Sequence, residues 1–355
     1  MLHIKEPTRP VRVVIVDDVQ SIRMMIRVML QTDPRIEVVG EAGDPYEARE
    51  MIKALNPDVI TLDVVMPRMD GLDFLERLMR LRPMPVVMVS TRTTERSQEA
   101  VLALSLGAVD CVDLGQLRQS KDSTALAKTV CMAADSNIGG LAAHRPKQHE
   151  AMDSRDFDWN GRVVLIGSST GGVDALLQVL SKMPPDGPPV LIAQHMPPTF
   201  LESFATRLER HCAPKVSLSH SNARLDQGQI YLAAGGDAHA VLSEHEKQRI
   251  KHVPQDGSEP YVPSVNLLFR SGIEHGANVV GVMLTGMGND GAQSLLEMRE
   301  AGSHTIVQDS ASSVIDGMPR AARELGAAEE VASLSNIADR ILANTSKSGG
   351  GENTR

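Results

Sequence analysis

Three polar residues that together could carry out acyl transfer each follow an apolar run in the second half of the chain. Ser169 lies in the turn GSSTGG after VVLI, His195 opens the turn HMPP after VLIAQ, and Asp290 lies in TGMGNDG after VVGVML. A serine, a histidine and an aspartate can serve as nucleophile, general base and the acid that orients the base. These residue types therefore suggest a serine-dependent hydrolytic site.

The elements that must position these residues are predicted strands at 163–167, 190–194 and 278–284. A helical pattern follows the first of them, with apolar residues at i, i+3, i+4 and i+7 spacing: Val173, Leu176, Leu177 and Leu180. Strands that alternate with helices form a parallel sheet, and their carboxyl ends share one rim. We therefore expect the three side chains to meet at that rim, beside the free N–H groups of a helix N-terminus.

Each residue also has a purely structural explanation. Ser169 and Thr170 could cap a helix, and His195 could be an ordinary rim histidine. Asp290 could be the N-cap of the helix that contains Leu295. We favour the catalytic interpretation because all three residues follow strands on one predicted rim beside glycine-rich turns.

The glycine-rich turn could alternatively bind the phosphate of a nucleotide. The dinucleotide fingerprint, however, requires glycine where Ser169 stands, and the turn has no P-loop lysine. The spacing of Gly167, Ser169 and Gly171 instead matches the Gly-x-Ser-x-Gly elbow of esterases. The chain order Ser, His, Asp differs from the Ser, Asp, His order of α/β-hydrolases, which indicates similar chemistry on another fold. A non-catalytic signalling adaptor and a nucleotide-binding regulator remain as alternative functions.

The first third of the chain predicts a second parallel sheet, with strands at 11–16, 36–40, 58–62, 85–89 and 108–112. Asp17 and Asp18 follow the first strand, and Asp63 follows the third. Neighbouring strands would bring these carboxylates within a few ångströms, where they repel unless a hard cation lies among them. The sequence therefore predicts a Mg²⁺ site, although each aspartate alone could simply cap a helix.

The segments VIVDD, TLDVVMPRMDGLDFL and PVVMVS resemble the receiver domain of two-component response regulators. The resemblance implies that Asp63 accepts a phosphoryl group from a histidine kinase, that Asp17 and Asp18 bind Mg²⁺ with it, and that the Ser90 hydroxyl contacts the phosphoryl group. A carboxylate beside Mg²⁺ can attack a phosphoryl donor because the metal offsets charge on the transferring oxygens.

The end of the fifth strand departs from the receiver pattern. Leu114 and Gly115 stand where receivers have Lys-Pro, and Cys111 occupies an aromatic switch position. Lys121 follows seven residues after Leu114, too far along the chain to be a straightforward substitute. These changes raise the question of whether phosphorylation activates the protein in the usual way.

The segments IGSSTGG, QHMP, PSVN, LTGMGNDG and DGMPR, behind a receiver, resemble the chemotaxis response-regulator protein-glutamate methylesterases. The resemblance implies that Ser169 is the nucleophile, His195 the base and Asp290 its orienting acid, and that Met287 contributes to the oxyanion site. Backbone N–H groups near Thr170 and Gly288 are further oxyanion or substrate candidates.

The same resemblance implies the reaction and its partners. The substrates would be methyl-accepting chemoreceptors, whose glutamate methyl esters are hydrolysed and whose glutamines are deamidated. No cofactor is expected in the esterase step. Two small departures remove no reacting group: Ser168 stands where alanine is common, and Gly235 replaces a frequent proline.

The bulk composition agrees with an enzyme or signalling protein. The chain has 355 residues, 42% apolar and 23% charged, with a net charge of −9 and 3% aromatics. This balance argues against nucleic-acid binding. Neither a signal peptide nor a run of roughly 20 apolar residues is present, and the three cysteines form no metal or redox pair, so we expect a cytoplasmic protein without membrane insertion.

The length favours two domains. We predict an α/β protein with two doubly wound parallel-sheet domains: a flavodoxin-like receiver at 11–133 and a Rossmann-like methylesterase domain at 161–345. Residues 134–160 lack a periodic pattern of apolar residues, which predicts an interdomain linker. We expect His144 and His149 in this linker to face solvent. Residues 346–355 are expected to be a disordered tail.

Overall fold

The structure is a computed structural model of the chain. It describes residues 9–66, 70–90, 94–119, 124–138, 156–244 and 248–347. The chain divides into two compact units, Met1–His144 and Arg145–Arg355. Each unit is considered by itself below.

The first unit contains a five-stranded parallel sheet in the order β2-β1-β3-β4-β5. Its strands are β1 (Val11–Val16), β2 (Ile36–Ala42), β3 (Val59–Asp63), β4 (Val86–Ser90) and β5 (Asp110–Asp113). Its helices are α1 (Gln20–Leu30), α2 (Pro45–Leu55), α3 (Gly71–Leu81), α4 (Thr94–Ser105), α5 (Leu114–Gln119) and α6 (Ala125–Ala134). This strand order is that of flavodoxin-like folds.

The local sequence explains why these elements form. The central strand β3 is buried along its whole length, as expected for a parallel sheet covered on both faces. Helix α1 buries Ile26 and Leu30 of its apolar stripe, and the carboxylate of Asp44 caps α2 by accepting the N–H groups of Tyr46 and Glu47. The five predicted strands are all found, with ends displaced by no more than two residues.

The second unit is built on a seven-stranded parallel sheet in the order β14-β13-β12-β6-β7-β9-β8. Its strands are β6 (Val163–Ser168), β7 (Val190–Gln194), β8 (Lys215–Leu218), β9 (Gln229–Leu232), β12 (Val279–Met283), β13 (His304–Gln308) and β14 (Glu330–Ala332), and β10 (Ala238–Leu242) and β11 (Ile250–Pro254) form a separate antiparallel pair. Its helices are α7 (Gly172–Leu180), α8 (Pro198–His211), α9 (Val265–Gly272), α10 (Ala292–Glu300), α11 (Met318–Glu324) and α12 (Leu334–Thr345), with a 3-10 helix at Ile273–Asn278.

Strand β6 lies at the centre of this sheet, between β12 and β7. The turns after these three adjacent strands contain Ser169, His195 and Asp290, so the topology places all three turns on one rim. Helix α9 packs against β6 and buries Phe269 completely. The observed strands agree with the predicted ones to within a residue at each end.

The segment predicted as a linker is described only in part, because residues 139–155, which include His144 and His149, lie outside the described residues. Residues 156–160 are associated with the second unit: the Phe157 N–H donates to Asp186 at 2.9 Å, and the Asn160 N–H donates to the Thr345 carbonyl at 2.9 Å. The domain boundaries therefore stay predictions. Residues 348–355 of the predicted tail also lie outside the described part of the chain.

Among the described residues, no helix is both long enough and apolar enough to cross a membrane. The predicted fold class, two α/β domains with doubly wound parallel sheets, is confirmed.

We expect Phe269→Ala to lower the free energy of unfolding of the second unit by about 3–5 kcal/mol, since it leaves a cavity between α9 and the sheet. Trp159 is the single tryptophan of the chain and lies in this unit, so its fluorescence during urea unfolding reports the change. Leu325→Ala, at a side chain that is 46% exposed, is the matched control and should shift the transition little. An unchanged midpoint for Phe269→Ala would contradict the packing described here.

Candidate active site

The turn between β6 and α7 holds Ser169 through its backbone. The Ser169 N–H donates to the Thr285 carbonyl at 3.0 Å, and the Ser169 carbonyl accepts the N–H of Gly172 at 2.8 Å. Gly171 has a φ of 79°, a left-handed conformation that lets the chain turn sharply into α7. Ser169 itself is 9% exposed, so its hydroxyl lies at the rim with little access to bulk water.

The turn after β12 packs directly against this serine. A Cβ atom on Gly286 would lie 2.8 Å from the Ser169 Cβ and 2.4 Å from the Met318 sulfur. Only glycine therefore allows the TGMGNDG backbone to approach the serine this closely.

His195 and Asp290 form a buried pair. The distance from His195 Nε2 to Asp290 Oδ2 is 2.7 Å, and the two side chains are 9% and 4% exposed. The Asp290 carboxylate also accepts the backbone N–H groups of Val265 at 2.9 Å and Asn266 at 3.0 Å, at the start of α9. These donors and the positive end of the helix dipole stabilise the carboxylate charge.

Because His195 Nε2 is hydrogen-bonded to Asp290, Nδ1 is the ring nitrogen that remains available for other chemistry. Within the described residues, the Ser169 hydroxyl has no hydrogen bond to His195. Such bonds are often long in hydrolases without substrate and shorten when substrate binds.

The capping explanations for these residues are wrong. The N-cap of α7 is Gly171, and the N-cap of α10 is Gly291; neither makes a side-chain cap hydrogen bond. Asp290 does bind the start of a helix, but that helix is α9, and its carboxylate binds His195 as well.

The three oxyanion or substrate candidates lie in the same two turns. Thr170 is 9% exposed, Met287 is half-buried and Gly288 is exposed. The carbonyl of Thr170 accepts a hydrogen bond from the Thr285 hydroxyl at 3.0 Å, which ties the two turns together. Within the part of the chain that the structure describes, the backbone N–H groups of Met287 and Gly288 have no acceptor.

Two supporting residues escaped the sequence analysis. The Gln194 side chain donates to the carbonyls of Ser169 at 2.9 Å and His195 at 3.1 Å, and it accepts from the Ser168 hydroxyl at 2.6 Å. Thr285 is fully buried and also accepts the N–H of Ile315. The sequence did offer a signal for both residues, because Gln194 in QHMP and Thr285 in LTGMG are polar residues inside the candidate motifs.

Tyr261 is a third residue that the sequence did not single out. Its ring stacks on the His195 imidazole with centroids 4.3 Å apart and an angle of 19° between the planes. No spacing rule links Tyr261 to His195, since they are 66 positions apart, so this contact appears only in three dimensions.

The acidic cluster of the first unit is also assembled. Carboxylate oxygens of Asp17, Asp18 and Asp63 lie within 4.8 Å of one another at the carboxyl ends of β1 and β3. Asp17 and Asp63 are 2% and 8% exposed, and Asp18 is exposed. Three converging hard oxygen donors fit a divalent cation such as Mg²⁺.

Leu114 lines the same pocket as the three aspartates and is 2% exposed. An apolar side chain therefore occupies the position where the receiver pattern has lysine. The backbone of Ser90 pairs with Asp113 at the ends of β4 and β5, but the Ser90 side chain is not among those described. Lys121 lies outside the described residues.

Comparison with known proteins places the chain in a family. The family model for the CheB methylesterase matches residues 164–341, and the model for the response regulator receiver domain matches residues 13–113. A protein-glutamate methylesterase/protein-glutamine glutaminase of Rhizobium johnstonii is 47% identical over 340 residues, covering 95% of this chain and 97% of that protein. A protein of the same description from Caulobacter vibrioides is 48% identical over 94% of this chain and 97% of its own length. The chain belongs to the CheB methylesterase family.

Two solved structures from Thermotoga maritima resemble the separate units. The CheB methylesterase catalytic domain is 30% identical and covers 52% of this chain and 98% of its own, with a TM-score of 0.49. The response regulator domain of CheB is 34% identical and covers 36% of this chain and 99% of its own, with a TM-score of 0.33. The family resemblance inferred from the motifs is thus confirmed by the sequence relatives across nearly the whole chain.

The two small departures from the family pattern fit their surroundings. The hydroxyl of Ser168 is completely buried and bonded to Gln194, so it leaves no unsatisfied polar group. Gly235 has a φ of 67°, a conformation that proline cannot adopt.

Burial makes His239 a pH-sensitive support of the site. This histidine is 2% exposed, and its Nδ1 accepts the N–H of Ser264 at 3.1 Å, directly before α9. Burial lowers the pKa of His239 below the ordinary value, although the negative charges of Glu259, Asp256 and Asp290 oppose this effect. The neutral ring is therefore the form that fits the fold.

We expect His239 to destabilise the second unit in acid. The unfolded chain takes up a proton on this residue near pH 6.5, whereas the folded chain does so only at a lower pH, so stability is lost as the pH falls below about 6.5. His239→Asn keeps a hydrogen-bond acceptor without a titrating ring, and its urea midpoint, followed by Trp159 fluorescence, should fall less than that of the wild type between pH 7.5 and about pH 5.5. Equal losses in the two proteins would rule out this contribution.

Proposed function

We propose that this chain is a chemoreceptor methylesterase that hydrolyses glutamate methyl esters through an acyl-enzyme on Ser169. The observation that carries the proposal is the buried hydrogen bond between His195 and Asp290, on the rim where the Ser169 turn lies. Family membership supports the substrate class, because the named relatives are protein-glutamate methylesterases/protein-glutamine glutaminases.

In the proposed mechanism, each reacting group has one role. Ser169 Oγ attacks the ester carbonyl while its proton passes to Nδ1 of His195. Asp290, bonded to Nε2, holds the tautomer that leaves Nδ1 free and stabilises the imidazolium that forms. The proton then moves from Nδ1 to the departing methoxide, which leaves as methanol.

Deacylation follows the same path in reverse. Water gives a proton to His195 as it attacks the acyl carbon, and that proton returns to Ser169 Oγ when the acyl bond breaks. The products are the receptor glutamate and free enzyme. An amide can form the same acyl-enzyme with release of ammonia, so receptor glutamine is the second substrate.

The negative oxygen of the tetrahedral intermediates needs donors beside Ser169. The turn after β12, which packs against Ser169 at Gly286, also contains Met287 and Gly288, and Thr170 follows Ser169 in the turn into α7. The backbone N–H groups of these three residues are the donors that we propose. Loss of one such donor typically lowers the rate by about 10²–10³-fold. No step in this sequence calls for a metal or organic cofactor.

Ser169→Ala should abolish methanol release from methylated receptor membranes, and ammonia release from receptor glutamine, because it removes the attacking oxygen. Ser168→Ala is the matched control, since it deletes the neighbouring hydroxyl, whose only described partner is the Gln194 side chain. We expect the control to keep methanol release within a few fold of the wild type, at a cost in stability of about 1–3 kcal/mol for the Gln194 oxygen that loses its donor. Undiminished turnover by Ser169→Ala would overturn the mechanism.

We further propose that phosphorylation of Asp63 regulates the esterase, with a histidine kinase as the phosphodonor. Asp17, Asp18 and Asp63 would hold Mg²⁺, which when bound offsets the negative charge on the transferring phosphoryl oxygens. The Asp63 carboxylate supplies the oxygen that accepts the phosphoryl group. Leu114, in the wall of the same pocket, replaces a cationic side chain with an apolar one. We therefore expect phosphorylation of Asp63 to be coupled more weakly to the esterase than in receivers with lysine at this position.

Regulation can be measured directly by comparing the methanol release rate with and without a small phosphodonor and Mg²⁺. The wild type should accelerate, whereas Asp63→Asn, which cannot form the acyl phosphate, should keep its basal rate under both conditions. Phosphorylation is verified in parallel by mass spectrometry of the intact chain. A wild type that is phosphorylated but not accelerated would show that the receiver signal does not reach the esterase.

We also propose that the chain acts in the cytoplasm, on methyl-accepting chemoreceptors whose glutamate esters are its substrates. The proposed partners are therefore the receptors and the kinase, without a nucleic acid.

A further inference from the structure

The hydrogen bond from His195 to Asp290 does not by itself fix the imidazole. It restrains the edge of the ring at Nε2, but the ring can still turn about the line that joins Nε2 to the Asp290 oxygen. Such a rotation would change the direction of Nδ1 while leaving the hydrogen bond intact. A second restraint, acting on the face of the ring, is needed to define its plane.

Tyr261 supplies a contact of that kind. Its ring lies nearly parallel to the imidazole, with centroids 4.3 Å apart and planes at 19°, so it limits rotation out of the plane. Tyr261 is 40% exposed, whereas the His195 side chain is 9% exposed. The tyrosine thus covers the base at the rim and is not itself a core residue.

The segment that leads to Tyr261 is anchored at two points. At its start, the Gln255 N–H donates to the Asp237 carbonyl at 2.9 Å. Further along, the Glu259 carboxylate accepts from the Ser264 hydroxyl and from the Asn266 side chain, both at 2.9 Å. The two Glu259 bonds fasten the segment to the start of α9, which also binds Asp290.

We propose that Tyr261 is a positioning residue for the general base, and this inference rests on the proposed esterase function. Its ring keeps the imidazole plane in the orientation that directs Nδ1 toward the Ser169 turn. When the imidazole accepts the serine proton, the aromatic face also attracts the resulting cation. Both effects need the ring of Tyr261 and not its hydroxyl.

The test uses a small serine-directed fluorophosphonate on the full-length chain, because this probe depends on Ser169 and its base but not on receptor docking. We compare the second-order labelling rates of the wild type, Tyr261→Ala and Tyr261→Phe. The alanine variant should label roughly 5- to 100-fold more slowly, whereas phenylalanine should restore at least half of the wild-type rate. Tyr46→Ala, which removes an exposed tyrosine of α2 in the other unit, is the matched control and should label like the wild type.

A second readout separates positioning from substrate docking and from general packing. In methanol release from receptors, Tyr261→Ala should lower kcat with little change in KM, whereas a docking role would raise KM alone. Tyr261→Leu keeps an apolar side chain without a π face and should remain as slow as alanine; its urea midpoint by Trp159 fluorescence checks the fold. A Tyr261→Ala or Tyr261→Leu protein that labels at the wild-type rate, or a phenylalanine variant that is not rescued, would overturn the inference.

These outcomes are distinct from failure of the proposed function. If the wild type is not labelled, or if Ser169→Ala is labelled as fast as the wild type, the acyl-transfer mechanism itself is overturned. If the wild type is labelled at Ser169 and Tyr261→Ala is unaffected, only the role of Tyr261 is lost.

Discussion

The candidate active site depends on the hydrogen bonds that the Asp290 carboxylate accepts. One oxygen accepts from both His195 Nε2 and the Val265 N–H, and the other accepts from the Asn266 N–H. The same charge therefore orients the His195 ring and fixes the start of α9 against the turn after β12. A buried carboxylate is costly unless it is paired and hydrogen-bonded, and here the helix N-terminus supplies that compensation before any substrate is bound.

The sequence predicts the parts of this molecule that follow from periodicity and spacing. The apolar runs predicted the five strands of the first sheet and three adjacent strands, β6, β7 and β12, of the seven-stranded sheet. Because adjacent parallel strands share a rim, the turns that contain Ser169, His195 and Asp290 could be placed together in advance. The acidic cluster around Asp63 followed from the same reasoning. Periodicity could not reveal which helix Asp290 would cap, since α10 follows it directly in the chain whereas α9 precedes it by 25 positions.

The supporting contacts were beyond prediction for a related reason. Tyr261 and Glu259 lie on an irregular segment, where side-chain direction has no repeating pattern, and His239 lies on the small β10-β11 pair, which the sequence did not predict. Gln194 was visible in the motif beside His195, but its three hydrogen bonds depend on the exact register of β6 and β7. Long-range polar contacts of this kind can be recognised only in the three-dimensional structure.

The register of β6 and β7 also bears on the proposed role of each imidazole nitrogen. Ser168 pairs with Gln194, so the serine and the histidine are each one residue beyond a matched pair on neighbouring strands, which lie about 4.8 Å apart. At this spacing we expect Nδ1, the nitrogen closer to the backbone, to serve the proposed nucleophile, because the outer nitrogen, Nε2, bonds to Asp290 in the turn after a third strand. In the proposed mechanism, the different roles of the two nitrogens thus follow from strand spacing, and transfer of this arrangement to another scaffold would require two adjacent parallel strands in this register.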